Sequence, residues 1–142
     1  MNISADSSFI VALYLVDSHS LDARRRMAAK PLVVLTPINR VELAHAVHYQ
    51  VFRARITLAE AVRALRAFEE DCGRGVWASL DLPARIWATA IDLARRHSPA
   101  LGVRTLDSLH VACALEFGAD KFWTFDERQA KLAKTVGLDT SP

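Results

Sequence analysis

The chain has only two cysteines among 142 residues, Cys72 and Cys113, far apart and in no CxxC pattern. Neither a structural zinc site nor a redox dithiol is suggested, and both read as buried, reduced thiols of a cytoplasmic protein. Long apolar runs are missing too. The longest, Phe9 to Val16, is eight residues, whereas a membrane-spanning helix needs about 20. The first residues carry Asp6 and no basic cluster, so they lack the form of a secretory signal. No internal repeat, linker or low-complexity tract interrupts the chain. Excess charge is absent as well. A formal +2 is too small to argue for a nucleic-acid surface by itself, although arginine outnumbers lysine and guanidinium is the better bidentate phosphate ligand.

What remains is an ordinary globular composition, 51 % hydrophobic and 24 % charged. One domain over residues 1–142 is expected, long enough to bury about 70 % of the surface its unfolded chain exposes. Ile3 to Ala5 reads as a buried strand, Ser7 to about Val16 as a helix, and a second helix runs from a cap at Asp17 or Ser18 through Ala29. Leu32 to Leu35 is a continuous apolar run, as in a strand covered on both faces. Thr36-Pro37 supplies an N-cap and a first-turn proline for the next helix. Thr57 to Glu60 has capping-box form and opens a helix through about Cys72. A third strand is expected at 76–80, then a helix from Pro83 to His97 stopped by Ser98-Pro99. Thr105 caps a helix through Phe117. Lys121 to Phe125 is a fourth strand, Asp126 to Val136 the last helix, and a short final strand is placed near Leu138. Strands alternating with helices predict a parallel sheet wrapped on both faces.

Four acids stand at the polar edges of these apolar runs: Asp6, Glu42, Asp107 and Asp126. Asp6 and Asp126 fall just past the ends of strands, Glu42 and Asp107 in early helical turns that flank the same edge. In open α/β sheets the ligand crevice lies at that edge. Clustered carboxylates repel and raise one another's pKa, so a cluster is stable around cations. Taken singly, each acid has a plainer role. Asp6 and Asp126 stand where helix N-caps belong, Asp107 sits in a first turn that welcomes negative charge, and Glu42 fits a solvated face. Their joint placement at one edge is what those roles do not require.

Several neighbours are candidates for supporting roles. His110 is three residues after Asp107, on the same helix face, and is placed to orient that carboxylate. Ser7, Ser8 and Thr124 are hydroxyl donors near the ligand acids, and Arg104 precedes a site helix as a substrate candidate. Arg24 to Arg26 reads as a solvated face. Trp77, Trp87 and Trp123 read as core. Phe9, Leu13, Val47, Val51, Leu65 and Phe68 are core residues or, in part, the lining of an apolar groove for a partner helix.

Four segments in order, ADSSF around Asp6, NRVEL around Glu42, RTLDSLHVACAL around Asp107 and FWTFDERQAKLA around Asp126, resemble a PIN domain. The tail TFDERQAKLAKTVGL is similar to VapC-type toxins of bacterial toxin–antitoxin pairs. The resemblance covers nearly the whole chain. It implies a three-layer α/β/α sandwich with a central parallel sheet, Mg²⁺- or Mn²⁺-dependent endoribonuclease activity, a homodimer, and a VapB-type antitoxin over the active site. Matched residue by residue, it makes Asp6 and Asp107 the principal metal ligands, with Glu42 and Asp126 completing the set directly or through water. Serine follows Asp6 where threonine is common, and no fifth ligand acid is obvious near Asp126, so one metal and two metals both remain open.

The chemistry of the residues is consistent with that implication. Mg²⁺ takes six oxygens, keeps several as water, and needs few carboxylates. It polarises a phosphate and offsets developing charge, while a carboxylate in reach accepts a proton from attacking water. Single-stranded RNA is the expected substrate, since loop phosphates are accessible to a small enzyme. An aspartyl-phosphate phosphatase would need a second Asp at position 8, where Ser8 stands. A receiver domain would need paired acids at the first strand. The competing class is a catalytically weak binding module.

Overall fold

A computed structural model describes all 142 residues. In chain order the elements are β1 (Ile3–Ala5), α1 (Ser7–Tyr14), α2 (Ser20–Met27), β2 (Val33–Leu35), α3 (Pro37–Phe52) and α4 (Leu58–Gly73). There follow β3 (Trp77–Ser79), α5 (Ile86–Leu101), α6 (Thr105–Glu116), β4 (Lys121–Trp123) and α7 (Glu127–Thr135). The four strands form one sheet in the order β3-β2-β1-β4, and every pairing is parallel. Parallel neighbours need crossovers, which the helices supply. A further parallel bridge joins Lys121 to Asp139, and Phe122 N–H donates to the Asp139 carbonyl at 2.8 Å. The weak final strand expected near Leu138 is reduced to that one bridge.

Period-two alternation in the strands divides the core between the two faces of the sheet. Ile3, Ala5, Val33, Leu35 and Trp123 join Phe9, Leu43, Val47 and Phe68 in one buried cluster. Phe122, the neighbour of Trp123, joins Ile86, Val111 and Leu132 in the other. Helices therefore cover both faces, and the architecture is the expected three-layer α/β/α sandwich. Phe9 is fully buried, with its ring 5.2 Å from Trp123 and 5.8 Å from Phe125. Burial of a side chain this size stabilises by about 1.5–3 kcal/mol, and it clamps the start of α1 against the end of β4.

Capping follows the sequence closely where it matters. Thr36 caps α3, with Pro37 in the first turn and Asn39 closing the capping box. Thr57 and Glu60 form the box that opens α4. Several boundaries differ: α1 ends at Tyr14 rather than about Val16, β4 at Trp123 rather than Phe125, and α5 opens at Ile86, after a turn that follows Pro83. α5 runs through Ser98-Pro99 to Leu101, because a proline in the last turn forfeits one backbone bond and the turn is closed by Gly102 at φ +62°. α6 has Arg104, not Thr105, as its N-cap, and α2 follows His19.

Some side chains also depart from expectation. Trp87 is 57 % exposed rather than core. Cys72 is only half-buried, while burial pushes the Cys113 thiol up to about 12. Arg26 is not a free solvated cation: it bonds Asp22 at 2.8 Å and lies over the Trp123 and Phe125 rings. Phe9, Val47 and Phe68 are wholly core, and Leu13, Val51 and Leu65 pack on that core. The open groove on this side is lined instead by Val11, Tyr14, Leu15, Ile56 and Ala64. No helix is long and apolar enough to cross a membrane.

Candidate functional site

Strand order reverses at β1, with β2 and β3 to one side and β4 to the other. The crevice beyond the C-terminal ends of β1 and β4 is therefore the natural ligand site of this sheet. Asp6 follows β1 directly and Asp126 lies three residues past β4. Glu42 projects from the second turn of α3 and Asp107 from the first turn of α6. All four line one cavity of about 440 Å³, together with Ser7, Ser8, Arg104 and Gln129. The convergence read from the sequence is present.

Asp6 is 1 % exposed. Its Oδ1 accepts the Ser8 hydroxyl at 2.6 Å and the Phe9 N–H at 3.2 Å, and its Oδ2 accepts the Thr124 hydroxyl at 2.9 Å. Burial nevertheless pushes its carboxyl above the ordinary carboxylate range, since these hydrogen bonds and the nearby His110 offset desolvation only in part. Ser8 and Thr124 do a second job. Ser8 Oγ accepts the Phe125 N–H and Thr124 Oγ1 accepts the Asp126 N–H, both at 2.9 Å. Two hydroxyls thus tie the start of α1 to the loop after β4.

Glu42 is held from two elements. Its Oε1 accepts the Ser7 hydroxyl at 2.9 Å and a hydrogen bond from His110 Nε2. Burial acts to raise this carboxyl, but His110, by its hydrogen bond and charge, and Ser7 outweigh it and hold Glu42 below its usual range. His110 was expected to orient Asp107, its neighbour on the helix. It reaches Glu42 instead, because Asp107 turns back along its own helix, where Oδ2 accepts the Arg104 N–H at 2.9 Å.

Asp126 caps α7, with Oδ1 accepting the Gln129 N–H at 2.9 Å. Cap and cavity roles coincide here, as they do in Asp6 and Asp107. In Asp107 and Asp126 one oxygen closes a helix start and the other is left toward the crevice, while in Asp6 the second oxygen accepts the Thr124 hydroxyl. Glu42 Oε2 and Asp107 Oδ1 receive no protein hydrogen bond. The Arg104 guanidinium stands between two acids, with Nε 3.4 Å from Asp107 Oδ2 and Nη2 3.8 Å from Asp126 Oδ2. Gln129 was missed in the sequence. It is buried at the cavity wall and its Oε1 has no partner. Its place three residues after Asp126 was the available signal.

The donors are oxygen throughout, the set that a hard divalent cation takes. A cation beside Asp6 would offset the desolvation that raises its carboxyl. The side chains are not drawn together as a cage of three acidic or imidazole ligands, since His110 holds Glu42 and Arg104 spans Asp107 and Asp126. The residues fit a divalent ion in type, as oxygen donors lining one cavity.

Residues 3–135 match the PIN domain family. Over 138 residues the chain is 33 % identical to ribonuclease VapC46 of Mycobacterium tuberculosis, covering 96 % of this chain and 93 % of that one. The crystal structure of Mycobacterium tuberculosis VapC20, described as a sarcin–ricin loop cleaving toxin, superposes with a TM-score of 0.73 at 21 % identity, covering 98 % of both chains. VapBC2 from Rickettsia felis, bound to a DNA fragment from its promoter, gives 0.68 at 14 % identity over 99 % of this chain and 98 % of that one. The four-acid crevice therefore lies in a fold shared with VapC proteins, and the chain belongs to the PIN-domain family, of the VapC type.

Proposed function

We propose that this chain is a divalent-metal-dependent endoribonuclease, the toxin of a VapBC-type toxin–antitoxin pair, with residues 1–142 forming one nuclease domain. The observation that carries this reading is the convergence of Asp6, Glu42, Asp107 and Asp126 on one cavity at the point where strand order reverses.

Asp6 and Asp107 are the principal ligands for Mg²⁺ or Mn²⁺, and Glu42 and Asp126 complete the set directly or through water. The bound ion supplies a Lewis acid that polarises the scissile phosphate and offsets its developing charge. Glu42 accepts the proton of the attacking water through Oε2, because Oε1 is committed to Ser7 and His110. The water oxygen bonds to phosphorus as the bond to the leaving ribose oxygen breaks. Thr124 and Ser8 hold Asp6 in register with Asp126, and the Gln129 amide supplies a polar wall for the sugar–phosphate chain.

The antitoxin is the expected partner, and α1 offers it a path. A groove of about 670 Å³ lies beside the C-terminal half of α1, about 12 Å along the helix from Asp6 at its start. An amphipathic segment seated there extends an arginine fork into the acidic crevice. Exposed Val41, Trp87, Ile91 and Leu106 favour a two-fold homodimer. The protein acts in the cytoplasm, where RNA and antitoxin meet it.

The test is cleavage of a fluorescent single-stranded RNA and of a sarcin–ricin-type stem-loop by antitoxin-free protein. Cutting with Mg²⁺ or Mn²⁺ and none in EDTA is expected. Tight partner binding without metal-dependent cutting would identify a binding module instead.

A further inference from the structure

Arg104 is the one cationic side chain lining the acidic cavity. Its backbone is fixed: the N–H is bonded to Asp107 Oδ2 at 2.9 Å, and the carbonyl accepts the Ser108 N–H at 3.1 Å as α6 begins. Its guanidinium is held less closely. The contacts to Asp107 and Asp126 are 3.4 and 3.8 Å, longer than the ~2.8 Å of a formed arginine–carboxylate fork. The side chain is 67 % exposed while that of Asp107 is 4 % exposed. A buried acid is thus neutralised by a cation that stays largely in water and holds it loosely.

We propose, resting on the nuclease reading above, that Arg104 is an exchangeable counter-ion of this site. It competes with the divalent ion for Asp107 and Asp126 and, once displaced, turns outward to bind an RNA phosphate next to the one cut. A solvent-screened ion pair of this kind holds weakly, and a divalent ion outbids a monovalent guanidinium for the same oxygens. The freed guanidinium cannot leave the crevice, because its backbone is bound into the start of α6. It then faces the place where the polyanion arrives, with a planar fork that matches phosphate oxygens. The exchange keeps the acids neutralised before the ion binds and adds a substrate contact afterwards.

The structural alternative is a plain helix-start ion pair, and the two roles predict different signs. Mn²⁺ affinity is measured by calorimetry on wild type, Arg104→Gln and Arg104→Lys, with KM and kcat for single-stranded RNA measured alongside. Arg104→Gln should bind Mn²⁺ about 3- to 5-fold more tightly, the scale of an exposed ion pair. Its KM should rise about tenfold, as expected for loss of a charge-assisted phosphate contact, with kcat changed much less. Arg104→Lys, which keeps the charge but loses the fork, should restore the wild-type Mn²⁺ affinity and only part of the KM. Unchanged or weaker Mn²⁺ binding by Arg104→Gln overturns the exchange, and a fall in kcat at constant KM overturns the phosphate contact. Wild-type protein that binds no Mn²⁺ would refute the metal-dependent reading itself, which separates the two failures.

Discussion

His110 Nε2 donates to Glu42 Oε1, the same oxygen that receives the Ser7 hydroxyl at 2.9 Å. Imidazole and hydroxyl together fix one half of the carboxylate and leave Oε2 to the cavity. His110→Ala should therefore lower kcat for RNA by about tenfold or more, the cost of losing a charge-assisted hydrogen bond to a half-buried acid, with KM little changed. His110→Asn, which keeps a donor, should recover part of the loss. Steady-state kinetics with a parallel thermal melt decide the matter. Full kcat in His110→Ala would remove His110 from any role in setting Glu42.

Burial pushes the Asp6 carboxyl above its ordinary range. Because its folded pKa is raised, its contribution favours the fold fully below the unfolded value of about 3.9 and is lost as pH rises through the folded one. Asp6→Asn should thus melt a few degrees higher than wild type at neutral pH in EDTA, while cutting no RNA. The amide can still accept from Ser8 and Phe9. A lower melting temperature in EDTA, or undiminished cutting, would contradict this account of Asp6.

Asn39 is 1 % exposed and joins two site elements. Its Oδ1 accepts the Thr36 N–H at 2.9 Å and its Nδ2 donates to the Ala5 carbonyl at 3.1 Å, one residue before Asp6. Asn39→Leu strands both backbone groups and should cost about 2–4 kcal/mol in urea unfolding. Asn39→Asp keeps the cap but loses the tie to Ala5, and should lower cleavage more than stability. Equal, small effects of both changes would show that the tie does not position Asp6 relative to Glu42.

An antitoxin peptide with a basic residue in its C-terminal part should inhibit less as Mn²⁺ rises, because both cations seek the same carboxylates. Replacing that residue with alanine should abolish the Mn²⁺ dependence while leaving some groove binding. Inhibition curves at several Mn²⁺ concentrations test this. Curves that ignore both Mn²⁺ and the alanine change would confine the partner to the groove.

The crevice was legible because its acids end apolar strands or open helices, and those signals are local. Asp6 and Asp126 cap helices by bonds to residues three positions on, which spacing alone predicts. The partner of His110 was not legible. Glu42 is 68 residues away, and helix spacing pointed to Asp107, whose oxygen is satisfied by its own N-cap backbone. Gln129 was signalled only by its place three residues after Asp126, which marks a helix cap; its role at the cavity wall showed once burial left its Oε1 without a partner. The reach of α5 past Pro99 depended on Gly102 taking a left-handed turn, which the proline masked.

The most direct test is the position of Mn²⁺ in a crystal of the protein soaked with the ion and measured at the manganese edge. The account predicts an anomalous peak in the crevice, with oxygens of Asp6 and Asp107 about 2.1 Å away, the distance a small hard cation takes. Glu42 and Asp126 should lie around the peak, with Arg104 turned away from Asp107. A peak bound elsewhere on the molecule, or none at saturating Mn²⁺, would contradict it.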